Sequence, residues 1–159
     1  LGSTKFLAER VLETYTDFFP VALLRLPGIV GPDLLSLGRP WLCNVLKKAK
    51  SHEPIKIFNW NSPFNNVIDV EEIEKIISQL MKRSNEGFEV FNAAASDPLP
   101  LFEVMRLIVD MVESRSLVLK ESIARQSFFI NIEKLQNKLD FQPASTHCMV
   151  ERFVQCNLD

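Results

Sequence analysis

The chain has 159 residues, 47% of them hydrophobic, with 18 basic and 20 acidic side chains and a net charge of −2. That is enough apolar material for one domain with a core, and the balanced charge gives no electrostatic reason to bind nucleic acid or an anionic membrane. No long apolar run and no basic-then-apolar leader occurs, so neither a membrane span nor a secretory signal is expected.

Taken in chain order, residues 2–18 read as a helix. Phe6, Leu7, Val11, Leu12, Tyr15 and Phe18 fall on helical spacing, and Pro20 stops it. Val21 to Leu26 is a short apolar run of the kind found in strands buried on both faces of a parallel sheet. The turn formers of Pro27-Gly28-Ile29-Val30-Gly31-Pro32 close it. Residues 39–50 predict a helix with Trp41, Val45 and Leu46 on one side, and Pro40 is acceptable in its first turn. Ile55 to Phe58 alternates like a strand, and Val67 to Val70 is a short extended piece. Glu71 to Lys82 is an amphipathic helix with Ile73, Ile76, Ile77 and Leu80 as its stripe. Its acidic start and basic end suit the helix dipole.

Phe88 to Ala93 is predicted as a strand, Asp97 to Pro100 as a turn, and Leu101 to Glu113 as a helix. Leu117 to Leu119 and Phe128 to Ile130 read as short strands. Asn131 is placed to cap a helix running to about Leu139. A final helix is expected over roughly 145–157. Strands alternating with helices predict an α/β fold.

The thiols Cys43, Cys148 and Cys156 form no C-x-x-C pair, and with only His52 and His147 no metal constellation can be built at usual spacings. His147 and Cys148 are neighbours, and on a helix neighbours point about 100° apart, which argues against a nucleophilic dyad. Reduced structural thiols, and hence a cytoplasmic protein, are the expectation.

Six pieces in order carry a family resemblance. Gly2-Ser3-Thr4-Lys5-Phe6-Leu7-Ala8-Glu9 is similar to the active-site helix Tyr-Gly-x-Ser/Thr-Lys-x-x-x-Glu of short-chain dehydrogenases, with Leu1 at the place of the tyrosine. The strand ending in Arg25-Leu26-Pro27-Gly28-Ile29-Val30-Gly31-Pro32 follows, then a helix and a strand. Asn66-Val67-Ile68-Asp69-Val70-Glu71-Glu72 resembles the family's Val/Phe-Ile-His-Val-Asp-Asp segment. Phe88 to Asn92 resembles its next strand, and Lys134, Leu135 and Leu139-Asp140-Phe141-Gln142-Pro143 resemble its tail, with Asp140 where glycine is usual. The chain thus resembles the later half of an extended short-chain dehydrogenase of the NAD-dependent epimerase/dehydratase type.

The resemblance implies a fold class: α/β, the C-terminal part of a Rossmann-type doubly wound sheet plus a small α/β substrate-binding lobe. Residues 1–159 would form a single truncated domain. In it, 1–32 and about 64–95 supply sheet elements, and about 33–63 and 96–159 supply the lobe. It implies a catalytic and cofactor-binding role for Lys5 as a clamp on the nicotinamide ribose, next to a tyrosinate that exchanges the substrate proton. Pro27, Gly28, Ile29 and Val30 would lie beside the nicotinamide, and Asn65 would touch substrate. Taken alone, Lys5 reads as a solvated helix lysine, and the turn after residue 26 as a plain strand-to-loop turn.

NAD or NADP is the cofactor expected for an intact protein, and a small molecule its substrate. The glycine-rich pyrophosphate loop is absent from these 159 residues, so tight dinucleotide binding and turnover by this chain alone are not expected. A first residue of Leu, not Met, points to a preceding stretch in the native protein. A cut sheet would leave the Val21–Leu26 strand with an unpaired edge, and the helix over 2–18 could pair in a homodimer.

Three departures bear on chemistry. Epimerases tend to have Asn at the place of Gly28, Arg at that of Asn65 and His at that of Asp69. Asn cannot replace a bidentate guanidinium on a diphosphate. The losses at Asn65 and Asp69, with Leu1, leave open a rival reading: a degenerate, non-catalytic domain used for protein contact. They also point away from a nucleotide sugar.

Overall fold

The computed structural model describes residues 2–32, 40–83, 86–122 and 126–158. Leu1, at the place of the family tyrosine, and residue 39, at the predicted start of a helix, lie outside them. The described elements are α1 (Gly2–Glu13), β1 (Val21–Arg25), β2 (Gly28–Val30), α2 (Pro40–Lys50), β3 (Ile55–Ile57), β4 (Pro63–Phe64) and β5 (Val67–Asp69). They continue with α3 (Val70–Lys82), β6 (Phe88–Asn92), β7 (Leu99–Pro100), α4 (Leu101–Met111), β8 (Val118–Lys120), α5 (Glu133–Leu139) and α6 (Thr146–Gln155).

Strand pairing is mainly parallel and always non-sequential. β1 pairs with β6, β2 with β5 and β3 with β8, all parallel, while β4 and β7 pair antiparallel. Parallel pairing needs crossovers, and α3 lies on the connection that runs from β5, paired with β2, to β6, paired with β1. Backbone bonds from Ala93 N–H to the Arg25 carbonyl and from Ala95 N–H to the Val67 carbonyl, 3.1 and 2.8 Å, join the ends of β1, β5 and β6. This is the α/β class that the alternation predicts, with the Rossmann-type parallel arrangement.

The core lies where α3, α4 and α6 cover β5 and its neighbours. Ile68, Ile76, Phe91, Met105, Ile108, Leu135, Met149 and Phe153 are all buried there. α4 packs on α6 and on α2, and α6 packs on β5. Two helix starts have a local cause. The Asp69 carboxylate accepts from Glu72 N–H at 2.8 Å and caps α3. The Ser145 hydroxyl accepts from Cys148 N–H at 3.2 Å and caps α6. α5 ends on Asp140 in the left-handed region, φ 47°. That conformation explains why glycine is usual at this place and why a short polar side chain can substitute.

Four expectations are corrected. The first helix stops at Glu13, not residue 18, because the Thr14 and Thr16 hydroxyls donate back to the Val11 and Glu13 carbonyls, at 2.7 and 2.9 Å, and favour turns. β1 is not buried on both faces: only Val21 is buried, and Arg25 is exposed. Phe128 to Ile130 is not a strand. The Ile130 backbone pairs with the Asn65 side chain in place of a neighbouring strand, and Phe128 and Phe129 are exposed. Asn131 does accept from Glu133 N–H at 2.9 Å, but α5 begins at Glu133 with Ile132 as its formal cap.

Among the described residues no helix is long and apolar enough to cross a membrane. None of the described residues of α1 is buried, and its apolar side chains Phe6, Leu7 and Val11 are all more than half exposed. β1 has β6 as its only strand partner among the described residues, so its other edge is unpaired.

Candidate active site

The open edge of β1 and the inner side of α1 bound a cleft of about 670 Å³. Lys5, Phe6 and Glu9 come from α1, Leu24 and Arg25 from β1, and Pro27 and Ile29 from the turn and β2. Lys5 is exposed, and its ammonium makes no ion pair among the described residues. Positions 5 and 9 share a helical face, which brings Lys5 and Glu9 to the same cleft.

Glu9 anchors that face. The Arg25 guanidinium at the end of β1 donates Nε–H to Oε1 at 2.9 Å and Nη2–H to Oε2 at 2.6 Å. Such a two-point pair fixes orientation as well as distance. The Arg25 hydrogen bonds hold the Glu9 carboxyl below its ordinary value of 4.5, against a smaller opposing desolvation, and the Arg25 pKa is raised in return.

A carboxyl with a depressed pKa stabilises the folded state above its ordinary range, and that contribution disappears as pH falls through the depressed value. The α1–β1 contact should therefore be insensitive to pH between 8 and 6. Glu9→Gln should loosen it at neutral pH. Hydrogen exchange of the α1 amides is the check: faster exchange is expected in Glu9→Gln at pH 7, with global unfolding little changed because the pair is exposed. Unaltered exchange would show that the pair does not anchor the helix.

β2 alternates, as any strand must. Ile29 faces the Lys5 cleft, whereas Gly28 and Val30 line a second cleft of about 300 Å³ with Trp41, Phe64 and Asn66. Lys5, Pro27 and Ile29 thus come together, and Gly28 and Val30 lie across the strand from them.

Asn65 lines neither cleft. It is 2% exposed, and its carboxamide is spent on backbone: Nδ2 donates to the Ala95 and Ile130 carbonyls at 3.0 and 2.9 Å, and Oδ1 accepts from Ile130 N–H at 2.8 Å. A substrate contact through the Asn65 amide protons requires those bonds to open. Asp69 is equally engaged. Its Oδ2 accepts from Arg152 Nη1 at 2.8 Å, and Glu71 and Glu72 lie 3.6 Å from the same nitrogen. The Asp69 hydrogen bond raises the Arg152 pKa.

Reading the sequence missed Arg25 as the anchor of α1, Arg152 as the partner of Asp69, and the Trp41–Phe64 wall. Trp41 fell on the apolar stripe of its helix, and that is the only signal it carries. The two arginines pair across 16 and 83 residues of chain, a separation no local pattern encodes.

No protein-family model matches this sequence, and no curated protein does. Solved structures do match in fold. UDP-glucose 4-epimerase from the hyperthermophilic eubacterium Thermotoga maritima, with UDP-glucose, superposes with a TM-score of 0.77 at 16% identity, over 98% of this chain and 52% of that one. The dTDP-glucose 4,6-dehydratase from Bacillus anthracis, in complex with NAD, gives 0.68 at 17% identity over 94% and 49%. An epimerase from the thermophilic methanogen Methanothermobacter thermautotrophicus gives 0.76 at 19% identity over 96% and 48%. At these identities the likeness is one of fold: the Rossmann-type α/β fold of epimerase/dehydratase enzymes. The chain spans about half the length of the structures it matches.

Proposed function

We propose that this chain is the substrate-binding portion of an NAD(P)-dependent oxidoreductase of the epimerase/dehydratase type. In this reading it forms the C-terminal part, with 1–32 and about 64–95 as sheet elements and the remainder as lobe. The observation that carries it is the cleft that collects Lys5, Pro27 and Ile29 beside the unpaired edge of β1. A preceding half of the protein would complete that edge.

The residues present fit the nicotinamide-ribose end of a dinucleotide. An ammonium without an ion pair stands ready for ribose hydroxyls, and the partly exposed Ile29 offers an apolar wall for a flat ring. They do not fit the pyrophosphate, for which no glycine-rich loop occurs in these residues. When bound, the nicotinamide supplies the hydride acceptor or donor. Lys5 would hold the ribose and favour the ionised form of a neighbouring tyrosine base, and the Glu9–Arg25 pair would orient the helix that carries it.

Lys5→Ala in the full-length protein is expected to lower kcat/KM by roughly 100-fold or more, to weaken cofactor binding and to move the activity optimum to higher pH. The pH shift follows because a tyrosine without a nearby cation ionises less readily. Steady-state kinetics over pH with NAD(H) and NADP(H) read all three effects. A silent Lys5→Ala in an active enzyme would place the chemistry elsewhere.

A second reading is a degenerate domain used for protein contact. It is favoured by the structural employment of Asn65 and Asp69, whose places in epimerases serve the substrate. Calorimetry of the full-length protein with both dinucleotides separates the two. Tight binding with turnover supports the enzyme, and no detectable binding supports the contact domain. This chain alone should bind neither cofactor with a Kd of about a micromolar or better.

A further inference from the structure

A groove of about 390 Å³ lies between α2 and β3, and its described lining shares only Trp41 with the cleft on the far side of β2. Lys47 and Lys48 of α2 and Lys56 of β3 line it, and all three are exposed. Glu53 is the one acidic residue in the described lining. Three ammonium groups against one carboxylate leave two net positive charges, in a chain whose net charge is −2. Among the described residues Lys47 and Lys48 make no ion pair, and Lys56 reaches only Glu121, at 3.9 Å. Like charges so placed repel one another, and an anion set among them relieves the repulsion.

The strand beside the lysines adds a second feature. Among the described residues the only strand partner of β3 is β8. The Ile55 N–H donates to the Leu117 carbonyl, and the Ile57 carbonyl accepts from Glu121 N–H, both at 2.9 Å. Residues 55 and 57 therefore turn their backbone groups toward β8. In a parallel ladder the residue between them points its N–H and C=O the other way. The Lys56 backbone thus forms an open edge, and Lys56 also lines the groove. An unpaired edge is a template for an added strand.

We infer that this groove docks an extended acidic segment of a partner protein, which adds to the edge of β3 through the Lys56 N–H and C=O and sets its carboxylates against Lys47, Lys48 and Lys56. Alternate side chains of a strand project to one face, so a segment with acids at every second position presents them together. The charge favours an acidic sequence over a basic one. The open edge favours an extended peptide over a compact anion. The inference goes beyond both readings of function above and rests on neither, because its test reads binding alone.

Fluorescence polarisation with the full-length protein tests it. The probes are a labelled peptide of alternating Glu and Val, its counterpart with Lys for Glu, the acidic peptide with methylated backbone nitrogens, and a single-stranded oligonucleotide. We expect saturable binding of the acidic peptide with a Kd of about 100 µM or better, and none of the basic one. Binding should weaken about tenfold between about 0.05 and 0.5 M salt, because ions screen the attraction. Lys47→Glu combined with Lys48→Glu should weaken it by about tenfold or more. Lys82→Glu combined with Lys138→Glu, an equal change of charge at exposed sites outside the groove, should leave it within about twofold. The methylated peptide should bind about tenfold more weakly, since it keeps its charges and loses its backbone donors. Absence of saturable binding, equal effects of the two double variants, equal binding of the methylated peptide, or tighter binding of the oligonucleotide would each overturn the inference.

Discussion

Phe153→Ala is expected to destabilise the fold by about 4 kcal/mol. Phe153 is 1% exposed, and α6 presents it to the core shared with α4 and β5. Truncation removes its buried ring and leaves a cavity in the buried cluster to which Met105, Ile108 and Met149 also belong. The backbone there is also pinned, because the Asn157 side chain donates to the Phe153 and Gly31 carbonyls at 2.8 and 3.3 Å, so the helix cannot simply slide inward. For a domain of this size the melting temperature should fall by about 8–16 °C. Phe18→Ala provides the contrast. Phe18 is 79% exposed, and its removal should change stability by no more than about 0.5 kcal/mol. Urea titrations of both variants decide the matter, and equal effects would mean that the core has been misassigned.

The second large effect is expected at Asp69. One oxygen caps α3 through Glu72 N–H, and the other holds Arg152 of α6, so a single buried carboxylate ties two helices together at the end of β5. Asp69→Ala removes a cap, about 1 kcal/mol, and also leaves Arg152 short of its nearest anion. Breaking a buried pair costs about 3–5 kcal/mol, but Arg152 is one-third exposed and keeps Glu71 and Glu72 within reach. A total of about 3 kcal/mol follows. Asp69→Asn retains the capping oxygen and should lose about half as much. A double-mutant cycle with Arg152→Ala should give a coupling of about 1–2 kcal/mol. Additive losses would show that the cap alone matters and the ion pair does not.

α3 shows how far local pattern reaches. Its predicted span, Glu71 to Lys82, differs from the observed helix by one residue, because the apolar stripe, the acidic start and the Asp69 cap all lie within its own sequence. Yet Ile77, read as part of that stripe, is exposed, while Glu72 is buried. Glu72 is covered because Lys75 donates to one of its oxygens and Ala144 N–H, 72 residues further along the chain, donates to the other. Phe128 to Ile130 shows the opposite case. Its composition is that of a strand, but its backbone is held by Asn65, 65 residues away.

The candidate site divides in the same way. Lys5, Glu9 and the Pro27 to Pro32 turn stand out only through their resemblance to a known active-site helix and loop; the sequence alone determined most of the helices and the α/β class. Short-range periodicity and capping carry that information, because each depends on neighbours within a turn or two. Only the tertiary structure decided that Ile29 faces Lys5 while Gly28 and Val30 face Trp41, that Arg25 anchors α1, and that Asn65 and Asp69 are occupied by structural bonds. Those outcomes depend on which strands pair and in which register. A shift of one residue would exchange the two faces of β2, and pairing is set by contacts between residues far apart in the chain.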